Sequence, residues 1–184
     1  MAKTVLGGLL GGFALYLVGF LFWGTPLSML AFKTVDDSRG AALQAVLAQT
    51  LTESGTGTYI IPSPATGQGT VLFGKGPIAT VHFNMAGFPV VDSTSLLVGL
   101  GMALVTGLIL AAALGAIAGR VTDFASRAKV AILFALAATF YLELGQPVFN
   151  HYGWGYFIYL FLSDFVGLSV AALIICRWFL PRTA

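Results

Sequence analysis

Four long apolar stretches set the rhythm of the chain. They occupy about residues 5–24, 96–118, 130–147 and 154–180, each near the roughly 20 residues that a helix needs to cross a bilayer. The third is the shortest. Pro147 is expected to end it, because proline has no amide proton and crowds the preceding turn. Polar residues collect between the stretches, in a long segment at 25–95, a basic stretch at 119–129, a turn at 148–153 and a tail at 181–184. The first stretch is too long for the apolar part of a cleaved leader. No good small-x-small cleavage site follows it, so it is read as a retained span, 1–24.

The long polar segment carries its own patterning. Asp36 and Asp37 are candidate caps for a helix with apolar residues at Leu43, Val46, Leu47 and Leu51, a helical spacing that Gly55 can stop. Three short β-prone runs follow, at 58–61, 70–73 and 78–83. Pro62, Pro64, Gly67 and Gly69 separate the first two, and Gly74-Lys75-Gly76-Pro77 separates the last two. These features predict a helix plus a two- or three-stranded meander. A sheet of that size is marginal alone and needs support from the ends of the spans or from another chain.

Composition agrees with this layout. The chain is 58% hydrophobic and only 9% charged, against about 25% charged in soluble domains. A net charge of +2 is too weak to suggest nucleic acid as a partner. The distribution of charge is more informative than its sum. With four spans, Lys3, Arg120, Arg127, Lys129, Arg177 and Arg182 fall on one side, six of the nine basic residues, while Lys33, Arg39 and Lys75 fall on the other. By the positive-inside rule both termini are cytoplasmic and the 25–95 segment lies outside. The expectation is therefore an α-helical integral membrane protein, a four-helix bundle of the bacterial inner membrane. A small extracytoplasmic (periplasmic) α+β insertion separates its first two transmembrane helices.

Asp164 stands near the middle of the fourth stretch. A carboxylate there costs roughly 2.5–3.5 kcal/mol on insertion scales, so it needs a partner or a role. Glu143 is a second carboxylate, in the third stretch. The two stretches should be antiparallel neighbours, with the carboxylates about 9 Å apart in depth, from six residues of helical rise. Water, Tyr141 or Tyr156 would bridge that gap, and Thr139 and Gln146 share the Glu143 face. Asp164 has three candidate roles: tying helices together while protonated or hydrogen-bonded to a hydroxyl, binding a polar group of a partner protein or cofactor, or forming a proton or cation path with Glu143. The cytoplasmic half offers only Ser169 and Thr106 to continue such a path, a thin lining.

Small residues mark candidate packing faces: Gly7, Gly8, Gly11 and Gly12 in the first stretch, and Gly99, Gly107 and Gly115 in the second. They let backbones approach within this chain or against another subunit. Trp23 and Trp154 near the outer interface and Trp178 near the inner one read as aromatic belts. The basic run from Arg120 to Lys129 reads as headgroup attraction. His82, Met85 and His151 are weak candidates for copper or haem; no metal motif clusters them, and no cofactor is predicted. The lone Cys176 excludes a disulfide within the chain. No nucleophile motif, phosphate loop or zinc motif is present, so no catalytic residue is named.

The functional expectation is a non-catalytic accessory, structural or assembly subunit of a larger membrane complex. Its partners would be the lipid bilayer and other integral membrane subunits, or copies of itself. One alternative is a small proton- or cation-coupled transporter or channel using Asp164 and Glu143. Another is a cofactor-binding membrane enzyme or redox carrier.

Overall fold

Uninterrupted apolar sequence has no local reason to stop a helix, and the longest elements follow the apolar stretches. The computed structural model describes residues 2–180; the expected tail at 181–184 lies outside them. In chain order the elements are α1 (Ala2–Trp23), α2 (Asp37–Leu51), β1 (Gly57–Ile61), α3 (Gly67–Lys75), β2 (Ala79–Phe83), α4 (Ser93–Ile117), α5 (Phe124–Asn150) and α6 (Trp154–Ile174). A π-helical turn, Ile175–Phe179, continues α6. Four helices are long and apolar enough to cross a membrane: α1, α4, α5, and α6 with its π turn. The chain divides into two units. The four long helices and the 3₁₀ turn Pro26–Leu30 make one, and Thr34–Asp92 makes the other.

In the helical unit, glycines decide how closely α1 is approached. A Cβ on Gly8 would sit 2.9 Å from the Leu108 Cα, and one on Gly12 would sit 2.7 Å from the Leu104 Cα. Gly107 of α4 is pressed in turn against the backbone of Gly8 and Gly12. On its other side α1 receives the end of α6: a Cβ on Gly11 would meet the Ile175 Cδ1 at 2.9 Å, and one on Gly7 the Phe179 ring. Gly99 and Gly115 belong to the same sequence pattern but not to this contact. Their nearest neighbours, Tyr16 and Thr4, would lie at ordinary distances of 3.9 and 3.6 Å.

The helices thus lie in the order α4, α1, α6, α5, with α5 packed along α6. At one end they converge on an apolar core that includes Ala111, Leu114, Ala131, Ala172 and Ile175. Arg127 closes that end. It is 1% exposed and donates to the carbonyls of Ala118, at 2.8 Å, and Val121, in the turn after α4. The headgroup role read for this residue is corrected: its guanidinium is buried against the carbonyls of the turn that follows α4.

The α5 helix is longer than its apolar stretch at both ends. Asp123 caps its start by accepting from the Ser126 amide at 2.8 Å. That hydrogen bond, with one to the Ser126 side chain, holds the Asp123 carboxyl below its ordinary range. Pro147 does not end the helix, which runs on to Asn150 and stops at His151 in the left-handed conformation (φ 56°). Proline removes a single amide donor. Here it is buried within the helix, and the chain turns only where His151 supplies the left-handed cap.

In the second unit, Asp36 caps α2 by accepting from the Arg39 amide at 2.9 Å, and Gly55 (φ 85°) follows its terminal 3₁₀ turn. β1 and β2 pair antiparallel, from Gly57 opposite Phe83 to Ile61 opposite Ala79. The run at 70–73, expected as a strand, is helical. Thr66 caps α3 through the Gly69 amide at 3.0 Å, and the Thr70 hydroxyl bonds back to the Thr66 carbonyl at 2.9 Å. Three consecutive apolar residues are too few to show a period, so the cap decides. The meander is therefore a single strand pair with a short helix between its strands.

Candidate functional site

The rotation of α6 is set by two hydrogen bonds to the end of α1. Trp23 Nε1 donates to Ser163 Oγ at 2.9 Å, and the Tyr159 hydroxyl donates to the Phe22 carbonyl at 2.6 Å. Trp23 also meets Tyr159 edge-on, with centroids 5.1 Å apart. Tyr159, Ser163, Gly167 and Ala171 are all buried, at four-residue steps along one face. Asp164 is one residue past that face, and one residue is about 100° of turn. It therefore points away from the packed seam, into the space between α1 and α5.

That space is a partly open cavity of about 280 Å³, lined by Leu15 of α1, by Ala138, Thr139, Leu142 and Glu143 of α5, and by Asp164 and Leu168 of α6. It exists because α5 packs along α6 and not along α1. Glu143 and Asp164 share the cavity. Among the described residues no basic side chain lines it. Neither carboxylate makes a hydrogen bond or ion pair among the described residues. No protein-family model, curated protein or solved structure matches the chain. The functional reading therefore rests on this geometry.

The expected hydroxyl partner of Asp164 is not supplied by the described residues. Thr139 donates to its own helix, at the Ala135 carbonyl, 2.8 Å away. Tyr159 is committed to Phe22, and Ser163 faces Trp23. Tyr141, Tyr156 and Gln146, grouped with the carboxylates by sequence, do not line the cavity. Tyr141 is 69% exposed; two residues from both Thr139 and Glu143, it lies on the opposite face of α5. Tyr156 belongs to an aromatic cluster with Trp23, Phe32 and Phe157, at centroid distances of 6.1, 5.5 and 5.1 Å. Gln146 accepts from Asn150 Nδ2 at 2.9 Å.

Trp23, expected as a belt residue, ties α1 to α6. Its partner stands 140 residues away, and no local pattern announces the pair. Trp154 and Trp178 are exposed, and Arg177 lies over the Phe124 ring at 5.7 Å.

The weak metal candidates stay apart in role. His82 Nδ1 is 3.0 Å from the Thr58 hydroxyl across the strand pair. The Met85 amide donates to Thr56 Oγ1, and His151 is the α5 cap. Among the described residues no group of three or more His, Cys, Asp or Glu gathers as a metal ion would need. Beyond the cavity the polar groups thin out. Thr106 bonds its own helix at Met102, and Ser169 Oγ is buried without a hydrogen-bond partner.

Proposed function

We propose that this chain is an integral membrane protein and a non-catalytic subunit of a larger membrane assembly. In this reading α1, α4, α5 and α6 span a bacterial inner membrane. Both termini are cytoplasmic and Thr34–Asp92 lies outside, following the charge distribution along the chain. The observation that carries the subunit reading is the cavity that Glu143 and Asp164 both line with no partner from the described residues. At mid-span the Asp164 carboxylate costs roughly 2.5–3.5 kcal/mol, a cost that no bond among those residues offsets. A second protein would offset it.

Purification in several mild detergents is the test. Partner proteins at fixed stoichiometry are expected; a lone monodisperse chain in every detergent would reject the subunit role. Orientation is tested separately by reporter fusions after Gly57 and after Asp123, which should report opposite sides.

The shared cavity also favours a second reading, a proton or cation site. Against it stands the thin polar lining beyond the cavity, where the described residues offer Ser169 and Thr106 before the apolar core that includes Ala111, Leu114 and Ile175. Flux into liposomes that is lost in Asp164→Asn would establish this reading, and absence of flux for protons and common cations would dismiss it.

A further inference from the structure

We infer that the cavity between α1, α5 and α6 receives the side chain of a lysine or arginine carried mid-span by a helix of a different membrane protein. The inference rests on the subunit reading and names the chemistry of the partner.

The lining matches such a side chain in both of its parts. Leu15, Leu142 and Leu168 offer an apolar wall for an aliphatic stem, and Glu143 and Asp164 offer acceptors for a cationic head. The volume, about 280 Å³, is far more than the roughly 10–15 Å³ of such space that one water needs. Because α5 does not pack along α1, the cavity is partly open at the surface of the helix layer, where another helix can lie.

Depth also selects the occupant. Asp164 is ten residues from the start of α6 and Glu143 seven from the end of α5, about 15 and 10 Å below that end of the unit. In a hydrocarbon layer of about 30 Å, both positions are inside. A spanning helix brings its own cation to that depth.

A second copy in the same orientation cannot do this. The basic residues of the described long helices stand at the opposite end: Lys3 opens α1, Arg127 and Lys129 lie in the first two turns of α5, and Arg177 lies in the π turn after α6.

The test reconstitutes the full chain in phosphatidylcholine vesicles with a labelled leucine-alanine peptide of about 20 residues. The peptide carries one lysine at its eighth position from the outer end. Control peptides carry leucine there, or the lysine near the other end. Energy transfer from a donor on the chain reads association. The centred-lysine peptide should bind at least tenfold more tightly than either control. A Glu143→Gln/Asp164→Asn double variant should lose that preference, while Asp164→Glu, which keeps the charge, should retain it.

Equal binding of all peptides overturns the inference, as does a preference that survives in the double variant. A carboxylate-dependent cation flux without peptide preference overturns it in favour of an ion path. If the centred-lysine preference holds but no stoichiometric partner copurifies, the cavity chemistry stands and the subunit role falls. If partners copurify equally with wild type and double variant, the subunit role stands and this inference falls.

Discussion

Gly107→Ala should damage the fold, while Gly115→Ala, eight residues along the same helix, should not. A Cβ at position 107 would be driven into the Gly8 carbonyl oxygen and the Gly12 backbone, which cannot rotate away as a side chain can. Overpacking of this kind costs about 1–3 kcal/mol, and a backbone clash belongs at the upper end. Alanine returns about 1 kcal/mol of helix propensity over glycine. The net loss at 107 is then about 2 kcal/mol, or roughly 4–8 °C in Tm for a chain of this size. At 115 the nearest atom, Thr4 Cγ2, would be 3.6 Å away, so the propensity gain stands unopposed. That variant should be neutral or more stable by up to about 1 kcal/mol. Thermal unfolding in one detergent, followed by tryptophan emission and by loss of the monodisperse peak, separates the two. Equal Tm values for the two variants would refute the assignment of the α1–α4 contact to Gly8, Gly12 and Gly107.

Three further outcomes follow from individual contacts. Ser163→Ala removes the acceptor of the Trp23 indole and should lower stability by about 0.5–1.5 kcal/mol, with a shift in Trp23 emission; an unchanged spectrum and Tm would remove this bond from the α1–α6 seam. Arg127→Leu leaves the Ala118 and Val121 carbonyls without their donor and should cost about 1.5–3 kcal/mol. Lysine, lacking the guanidinium fork, should rescue it poorly, so full recovery of Tm in Arg127→Lys would count against the geometry. Asp36 is held below its ordinary range, first by the Ser38 hydroxyl and then by the Arg39 amide. A depressed native value means that its capping contribution is complete above the unfolded value, about pH 4, and is lost as pH falls below that through the native value. Hydrogen exchange at the Arg39 amide should accelerate over that acidic range, and an exchange rate with no Asp36-dependent step would contradict the cap.

Four helices long and apolar enough to cross a membrane were legible because their signal is local: uninterrupted apolar length. The Asp36 cap, the Gly55 stop and the two strands at 57–61 and 79–83 were legible for the same reason, since each is written within a few residues. The two carboxylates could also be singled out without a structure, because a charge in an apolar run is conspicuous wherever it faces.

Their surroundings could not. Whether 70–73 became strand or helix turned on the Thr66 cap, and whether Pro147 ended α5 turned on packing and on His151. Arg127 looked like any basic turn residue until its guanidinium met the Ala118 and Val121 carbonyls. The sharing of one cavity by Glu143 and Asp164, without Tyr141, Tyr156 or Gln146, depends on the rotation of α6. That rotation is held by Trp23 from 140 residues away. Sequence by itself determined which segments become long helices and which residues are costly inside them, because length, capping and hydrophobicity act along the chain. Only the tertiary structure decided which face each helix turns toward its neighbours, because that choice is made by close contacts between residues distant in sequence.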